Sequence, residues 1–289
     1  MASDRTLEQQ VCLVTGATSG IGFEVARQLA ALGAEVVMHA RDGERGDVAR
    51  LRVVAATGNA NVSILVADLE SQRQIRRAAA EFRDRHERLD VLVNNAGAVF
   101  PRREVTEDGI ERTFAVNHLA YFLMTRLLLD RLEAGAPSRV INVSSAAHRR
   151  ATFDPRDLEP AAGGSAMQAY GQSKLANLLF TYELARRLEG LGVTVNAVHP
   201  GVVNTNFGSG VRWVRWLVRP FGRFLIQPRD AAAAIVELAT EPQFAAVTGR
   251  YFIKGEERAS SRASYDLEAQ QRLWTLSEVL TARSASPDA

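Results

Sequence analysis

Tyr170 and Lys174 stand four residues apart in a stretch, 168–190, whose apolar positions recur at helical spacing, so the two side chains share one helix face. A phenol with a pKa of about 10 is a poor base at neutral pH. An ammonium beside it favours the phenolate and brings it toward the range where proton transfer is efficient. Ser145 follows the apolar run Val140-Ile141-Asn142-Val143. A hydroxyl there can hydrogen-bond an oxygen on which negative charge develops; its neighbour Ser144 is the alternative. Together these residue types point to acid–base chemistry at a carbonyl or alcohol oxygen, although any helix can carry Tyr and Lys four apart by coincidence.

A second constellation lies near the N-terminus. The run Val11-Cys12-Leu13-Val14 leads into Thr15-Gly16-Ala17-Thr18-Ser19-Gly20-Ile21-Gly22. Gly16 permits a tight turn, Gly20 lets backbone approach a pyrophosphate, and Gly22 lets a helix pack closely on a strand. The helix that follows offers free N–H groups and a positive dipole end to phosphates. Ile21 stands where a P-loop would carry Lys, which disfavours NTP hydrolysis. The turn therefore predicts a dinucleotide. Which one is read at the end of the next strand, where Ala40 precedes Arg41 and Asp42. An acid there holds a free ribose 2′-hydroxyl, whereas an arginine offers a charge-assisted fork to a 2′-phosphate. Arg41 predicts NADP(H); Asp42 beside it keeps NAD(H) as the alternative.

The elements that must position these groups alternate. Strands are predicted at 11–15, 35–40, 62–67, 91–93, 140–143, 193–198 and 249–253, and helices at 21–32, 43–56, 71–87, 107–133 and 168–190. Such βαβ alternation gives an α/β fold: a single Rossmann-type doubly wound domain over 1–289, with a seven-stranded parallel sheet flanked by helices. Two segments interrupt the rhythm after strand ends, 148–167 and 206–227, and the tail at 284–289 reads as frayed.

Composition narrows the classes. The chain of 289 residues is 46% hydrophobic and 24% charged with net charge +2, which is ordinary for a globular protein and gives no case for a nucleic-acid partner. Cys12 is the one cysteine, so an internal disulfide and a cysteine-based metal site are ruled out, and no His/carboxylate set has metal-ligand spacing. The polar first ten residues do not read as a signal peptide, and no run approaches the ~18 apolar residues of a membrane span. The expectation is a soluble, cytoplasmic protein.

The spacing Gly16-x-x-x-Gly20-x-Gly22, Asp68-Leu69, Asn94-Asn95-Ala96-Gly97, Ser144-Ser145, Tyr170-Gly171-Gln172-Ser173-Lys174 and Pro200-Gly201 follow one another along nearly the whole chain. In this set and order the sequence resembles the short-chain dehydrogenase/reductase family. The resemblance implies that Gly16, Thr18, Ser19, Gly20, Ile21 and Gly22 cradle the coenzyme phosphates, Asp68 and Leu69 meet the adenine, and Asn94, Ala96 and Gly97 line the adenosine and nicotinamide-ribose side. Val202 and Thr205 would face the carboxamide, with Pro200 and Gly201 also bordering the cofactor. Tyr170 and Lys174 would touch the nicotinamide ribose as well as do the chemistry. The pattern Ser-Ser-x-Ala favours Ser145 over Ser144, and Asn117, in Phe114-Ala115-Val116-Asn117, would hold a water beside Lys174 and complete a proton relay. A buried asparagine satisfying a kinked helix is a compatible reading. Gly97 has an independent warrant, since a glycine at a strand's end allows close cofactor approach.

Phe153-Asp154-Pro155-Arg156-Asp157-Leu158, Ser173-Lys174-Leu175-Ala176-Asn177, His199-Pro200-Gly201 and Leu273-Trp274 resemble the retinol dehydrogenase-like branch and its bacterial relatives. Many animal members carry an N-terminal membrane anchor that this sequence does not show, so retinoid specificity does not carry over. The Trp- and Arg-rich segment 211–219 sits where the family's substrate lid lies. It reads as a lid over a lipophilic carbonyl or alcohol, a peripheral membrane contact or an amphipathic helix on the core. His199 reads as structural and His148 as a solvated loop histidine, with substrate contact its alternative. The helices at 107–133 and 168–190 could form a homodimer interface, as in many relatives. A dinucleotide-binding redox sensor without turnover is the competing function, and the intact Ser145, Tyr170 and Lys174 set argues against it. Arg41→Ala is expected to raise KM for NADP roughly ten- to a hundredfold while KM for NAD stays within about twofold; an unchanged preference would remove Arg41 from this role.

Overall fold

Strands whose residues are buried at every position need cover on both faces, and Val11–Val14 and Val91–Asn94 are such strands. The computed structural model describes residues 7–158, 164–201 and 226–283. Its sheet has eight strands: β1 (Val11–Val14), β2 (Glu35–Ala40), β3 (Val62–Val66), β4 (Val91–Asn94), β5 (Ser138–Val143), β6 (Val193–His199), β7 (Arg250–Ile253) and β8 (Glu256–Glu257). The order is β3-β2-β1-β4-β5-β6-β7-β8. β1 to β7 are parallel, as predicted. The eighth strand is a correction to the sequence reading: β8 runs antiparallel to β7, with Ile253 opposite Glu256. The reversal is made by Lys254 and Gly255, both at positive φ (53° and 85°), the backbone that a two-residue hairpin requires.

Helices α1 (Gly20–Ala31), α2 (Gly43–Thr57) and α3 (Gln72–Arg85) follow the first three strands. The predicted long helix at 107–133 is broken into pieces. Gly109 turns the chain at φ +72°, and the Glu111 carboxylate accepts the N–H groups of Thr113 (3.0 Å) and Phe114 (2.8 Å). That cap starts α4 (Arg112–Phe114), which passes through a π turn at Ala115–Leu119 into α5 (Ala120–Leu127), and α6 (Leu129–Ala134) follows. α7 (Ala166–Arg187), α8 (Pro228–Thr240) and α9 (Leu267–Arg283) complete the set among the described residues.

The sheet separates two cores. α1, α2 and α8 cover one face with Phe23, Leu29 and Ile235 against Val14, Ile141 and Phe252. α3, α5, α7 and α9 cover the other with Phe82, Phe122, Phe180 and Trp274 against Leu13, Leu92 and Val140. Phe122 and Phe180, on the helices that the sequence offered for a dimer, are here packed on Trp274 of the chain's own α9, with ring centroids 5.1 and 6.1 Å apart. Val202, Thr205, most of the 206–227 segment and the 284–289 tail lie outside the described residues. Glu111 is 2% exposed, so Glu111→Ala leaves two N–H groups at the head of α4 without partners. It should cost about 1–3 kcal/mol in urea unfolding; a loss below ~0.5 kcal/mol would mean that the cap does not hold this turn.

Candidate active site

β1 and β4 lie side by side while the chain winds away from them in opposite directions. Such a switch point opens a crevice beyond the strand ends. The turn after β1 is clipped across it. Thr15 Oγ1 accepts the N–H groups of Asn95 (2.8 Å) and Ala96 (3.0 Å), and Asn95 Nδ2 donates to Thr15 O (2.8 Å). Gly16 sits at φ +66°, and a Cβ there would lie 2.9 Å from Ala96 Cα; one at Gly22 would collide with Gly16 O. Ser19 precedes α1 without a side-chain cap, and Ala96 is buried while Thr18 and Ile21 are half-buried. These residues fit a dinucleotide pyrophosphate: the glycines leave a cradle that side chains would fill, and the N–H groups at the head of α1 are left without a side-chain acceptor.

Sequence reasoning missed His39, which braces this cradle. Gly16 N–H donates to His39 Nδ1 at 3.1 Å, so Nε2 carries the proton and donates to Ala67 O at 3.0 Å. Burial lowers its pKa to about 4. Beyond it, Ala40 is buried and Arg41 exposed, while the Asp42 carboxylate accepts Arg45 N–H at 2.9 Å as the cap of α2. Asp68 is half-buried and its Oδ1 accepts Glu70 N–H at 3.0 Å, with Leu69 buried beside it.

Ser145, Tyr170 and Lys174 come together at the end of β5. Tyr170 is 8% exposed and hydrogen-bonded to the Ser145 side chain. Ser145 Oγ accepts Ala147 N–H at 3.3 Å, which leaves its proton free for another oxygen. Ser144, the alternative, points elsewhere: it is buried and donates to Lys174 O at 2.9 Å. Lys174 is 2% exposed, donates from Nζ to Val143 O at 3.0 Å, and lies 5.8 Å from the centre of the Tyr170 ring. Burial pushes the Tyr170 phenol up to about 12 and the Lys174 amine down to about 7. On the phenol, burial is the larger pull and upward, and the hydrogen bond from Ser145 opposes it.

Asn117 is wholly buried in the π turn. Its Oδ1 accepts Ala98 N–H (2.8 Å), and its Nδ2 faces Ala98 O (2.9 Å) and Ser173 Oγ (3.1 Å). A Cβ on Gly97 would sit 3.3 Å from both Asn117 Oδ1 and Lys174 Nζ, so the glycine leaves the two polar atoms bordering one small space. The Asn94 side chain, at the end of β4, is taken up inside the protein. It is fully enclosed, and its amide donates to Thr125 Oγ1 (3.0 Å) and Asn142 Oδ1 (2.9 Å). At the end of β6, Pro200 is buried and Gly201 has φ +96°.

Two further residues were misread or unseen. His148 is buried rather than solvated: Nδ1–H donates to Ser145 O (2.5 Å), and Nε2 accepts Ser261 N–H (3.1 Å). Tyr121, one turn after Asn117, donates to Ala96 O at 2.7 Å and holds its ring 5.5 Å from Lys174 Nζ. His199 is 8% exposed and Nδ1 has no partner among the described residues. No group of three or more His, Cys, Asp or Glu among the described residues could hold a metal ion, and no described helix is long and apolar enough to cross a membrane.

A glycine cradle at the switch point and a Ser-Tyr-Lys cluster at the end of β5 define a dinucleotide-dependent oxidoreductase. The family model for short chain dehydrogenases matches residues 10–213, and the chain belongs to that family. It is similar to human retinol dehydrogenase 13, at 40% identity over 290 residues covering 98% of this chain and 88% of the relative. Mouse retinol dehydrogenase 14 is 39% identical over 283 residues, covering 93% and 84%. Among solved structures, an uncharacterised protein of Mycobacterium paratuberculosis matches with a TM-score of 0.79 at 33% identity, over 96% of this chain and 95% of that one. The Pseudomonas aeruginosa RhlG/NADP complex matches with a TM-score of 0.71 at 28% identity, over 86% and 95%. The chain is thus a retinol dehydrogenase-like member, a hydride-transfer oxidoreductase that works with a nicotinamide dinucleotide.

His39 generates a test of the cradle. Its pKa falls from 6.5 to about 4 on folding, so the unfolded chain binds more protons in that window and stability is lost as pH falls through it. The contribution is on the order of 3 kcal/mol. Urea unfolding from pH 7 to 4 should steepen accordingly, and His39→Leu should remove about one proton from the slope; an unchanged slope in the variant would show that His39 is not neutral in the fold.

Proposed function

We propose that the protein is an NADP(H)-dependent reductase or dehydrogenase acting on a lipophilic carbonyl or alcohol, with Tyr170 as the general acid or base. The observation that carries this reading is the Tyr170 phenol, hydrogen-bonded to Ser145 and one helical turn from Lys174, at the strand end beside the glycine cradle. NADP(H) is favoured over NAD(H) by Arg41, exposed just beyond the end of β2, and by Asp42, whose carboxylate is engaged as a helix cap. The NADP in the RhlG complex agrees with it. A lipophilic substrate is supported by the similarity to retinol dehydrogenases.

The bound nicotinamide supplies the hydride that no side chain can carry. Ser145, whose Oγ already accepts Ala147 N–H, directs its own proton at the substrate oxygen and stabilises charge there. Tyr170, protonated at neutral pH because burial holds its pKa at about 12, donates the proton that the reduced oxygen needs. Lys174 Nζ and Asn117 Oδ1 border the space beside Gly97, where a water can pass a replacement proton inward. This arrangement suits carbonyl reduction near neutrality, while alcohol oxidation waits on deprotonation of the phenol.

The decisive measurement is NADPH consumption against a panel of lipophilic aldehydes and ketones. Tyr170→Phe should lower turnover about 10²- to 10⁴-fold while coenzyme affinity survives; full activity in that variant would refute the assignment. Oxidation of the matching alcohol should keep rising as pH increases toward 10, following a phenol with a pKa of about 12. A plateau near pH 7 would mean that the phenol ionises far more readily than burial in the free protein allows.

A further inference from the structure

Ser145 and Tyr170 stand on different elements, and their side chains must keep one hydrogen bond. Ser145 opens the 3₁₀ turn Ala146–Arg150. Within that turn Ser145 Oγ accepts Ala147 N–H at 3.3 Å, and Ser145 O accepts His148 N–H at 3.1 Å. Both bonds shape the turn, and neither fixes it to the rest of the protein. The His148 ring does. It is fully buried, with Nδ1 2.5 Å from Ser145 O and Nε2 3.1 Å from Ser261 N.

Both partners are backbone groups, which leaves one assignment of the ring. A carbonyl oxygen only accepts and an amide N–H only donates. Nδ1 therefore carries the proton and Nε2 is bare. A second proton would set Nε2–H against Ser261 N–H, and burial already draws the imidazole toward its neutral form. The Tyr251 ring meets the imidazole edge to face, with centroids 5.2 Å apart.

Ser261 is a firm anchor. Its segment is bonded to β7 through Arg258 N–H and Tyr251 O (2.9 Å), and to α7 through Ser260 Oγ and Tyr182 OH (2.7 Å). Tyr182 stacks on Tyr265 at 5.2 Å, and the Tyr265 hydroxyl accepts Ser260 N–H at 3.1 Å. Tyr182 lies on the same helix as Tyr170. The imidazole thus closes a circuit from the Ser145 turn through 258–261 to α7 and back to Tyr170. Arg149 adds a bond to Ala259 O at 2.9 Å, but it is exposed, and water competes for such a bond.

We infer that His148 is a positioning residue for Ser145: its ring ties the Ser145 carbonyl to the Ser261 N–H, 113 residues beyond the histidine, and so sets the Ser145 hydroxyl against Tyr170. Without the tie the turn keeps its own shape and loses its place, and small misplacements of a reacting group are costly in rate. The consequence for turnover rests on the proposed reductase reading; the tie itself does not.

Ser261→Pro removes the one N–H in question. Ser261 has φ −71°, which a proline ring keeps, and Ser261→Ala, which retains the N–H, is its control. Ser261→Pro should lower kcat roughly threefold to thirtyfold with KM for NADPH within about twofold, whereas Ser261→Ala should stay within about twofold in both. His148→Leu should lower kcat by a similar factor. The double variant should lose no more than the worse single one, because both changes cut the same tie. His148→Asn keeps a donor for Ser145 O and cannot reach Ser261, so it replaces Leu, or decides alone by its kcat, where another variant does not fold. Losses that multiply in the double variant, or a kcat unchanged when the tie is cut, overturn the inference. Histidine-selective ¹³C labelling reads the tie without turnover, the His148 signal being the one lost in His148→Asn. Its transition should move up in Ser261→Pro relative to Ser261→Ala, since Nε2 no longer faces an N–H. The groups around the ring, Arg149 on its own turn, His199 on β6 and Tyr251 on β7, stay in place in every variant. An unmoved transition overturns the tie. A moved one in a protein without turnover on any carbonyl or alcohol sustains the tie and refutes the reductase reading instead.

Discussion

A lysine ammonium enclosed at the end of a buried strand is the constraint around which the site is organised. Lys174 is 2% exposed and gives a hydrogen bond to a single described acceptor, Val143 O, although an ammonium has three protons to place. Burial on these terms is costly and draws the amine toward its neutral form. The neighbours limit that cost. Ser144 ties the strand end to the backbone of α7 at Lys174 O, the Tyr121 ring offers its electron-rich surroundings, and Gly97 leaves room where a side chain would press on Nζ. The π turn belongs to the same arrangement, because it carries Asn117 toward Ala98 and Ser173.

Hydrophobic periodicity made most of the fold legible. β2 was read at its observed bounds, and α1 and α2 within a residue at each end. The stretch at 107–133 was not, because its apolar pattern continues through Gly109, through the Glu111 cap and through a turn that adds one residue to the helical repeat. Periodicity sees which residues are buried and is blind to how the backbone is paired. The grouping of Tyr170, Lys174 and Ser145 and the glycine turn after β1 were legible because their signal is local spacing. His148 was misread because what decides its place is distant: it meets Ser261, 113 residues on. The bond from Asn94 to Asn142, 48 residues on, was out of reach of local spacing for the same reason.

The histidines show how this protein uses a residue that elsewhere titrates. All five have pKa values lowered first by burial. In His39, His118 and His148 the ring spans two polar partners. A neutral imidazole with one donating and one accepting nitrogen is a rigid connector of fixed polarity. His39 joins the phosphate turn to β3, His148 joins the Ser145 turn to the segment before α9, and His118 joins the π turn to α9. The coenzyme side and the chemical side of the sheet are thus each held by imidazoles that stay uncharged near neutrality.

The short hairpin that ends the sheet has a consequence outside the crevice. A final strand exposes a row of unpaired N–H and C=O groups to which any other extended chain could add. Here the rim is two residues long, and both are exposed glutamates, Glu256 and Glu257, paired with Arg258 and Arg250. Another molecule sliding its own rim alongside would find two residues' worth of backbone to bond and would have to disturb those ion pairs to reach it. The two-residue reversal at Lys254 and Gly255 therefore does more than finish the fold: it makes the last strand too short to serve as a template for pairing along that side.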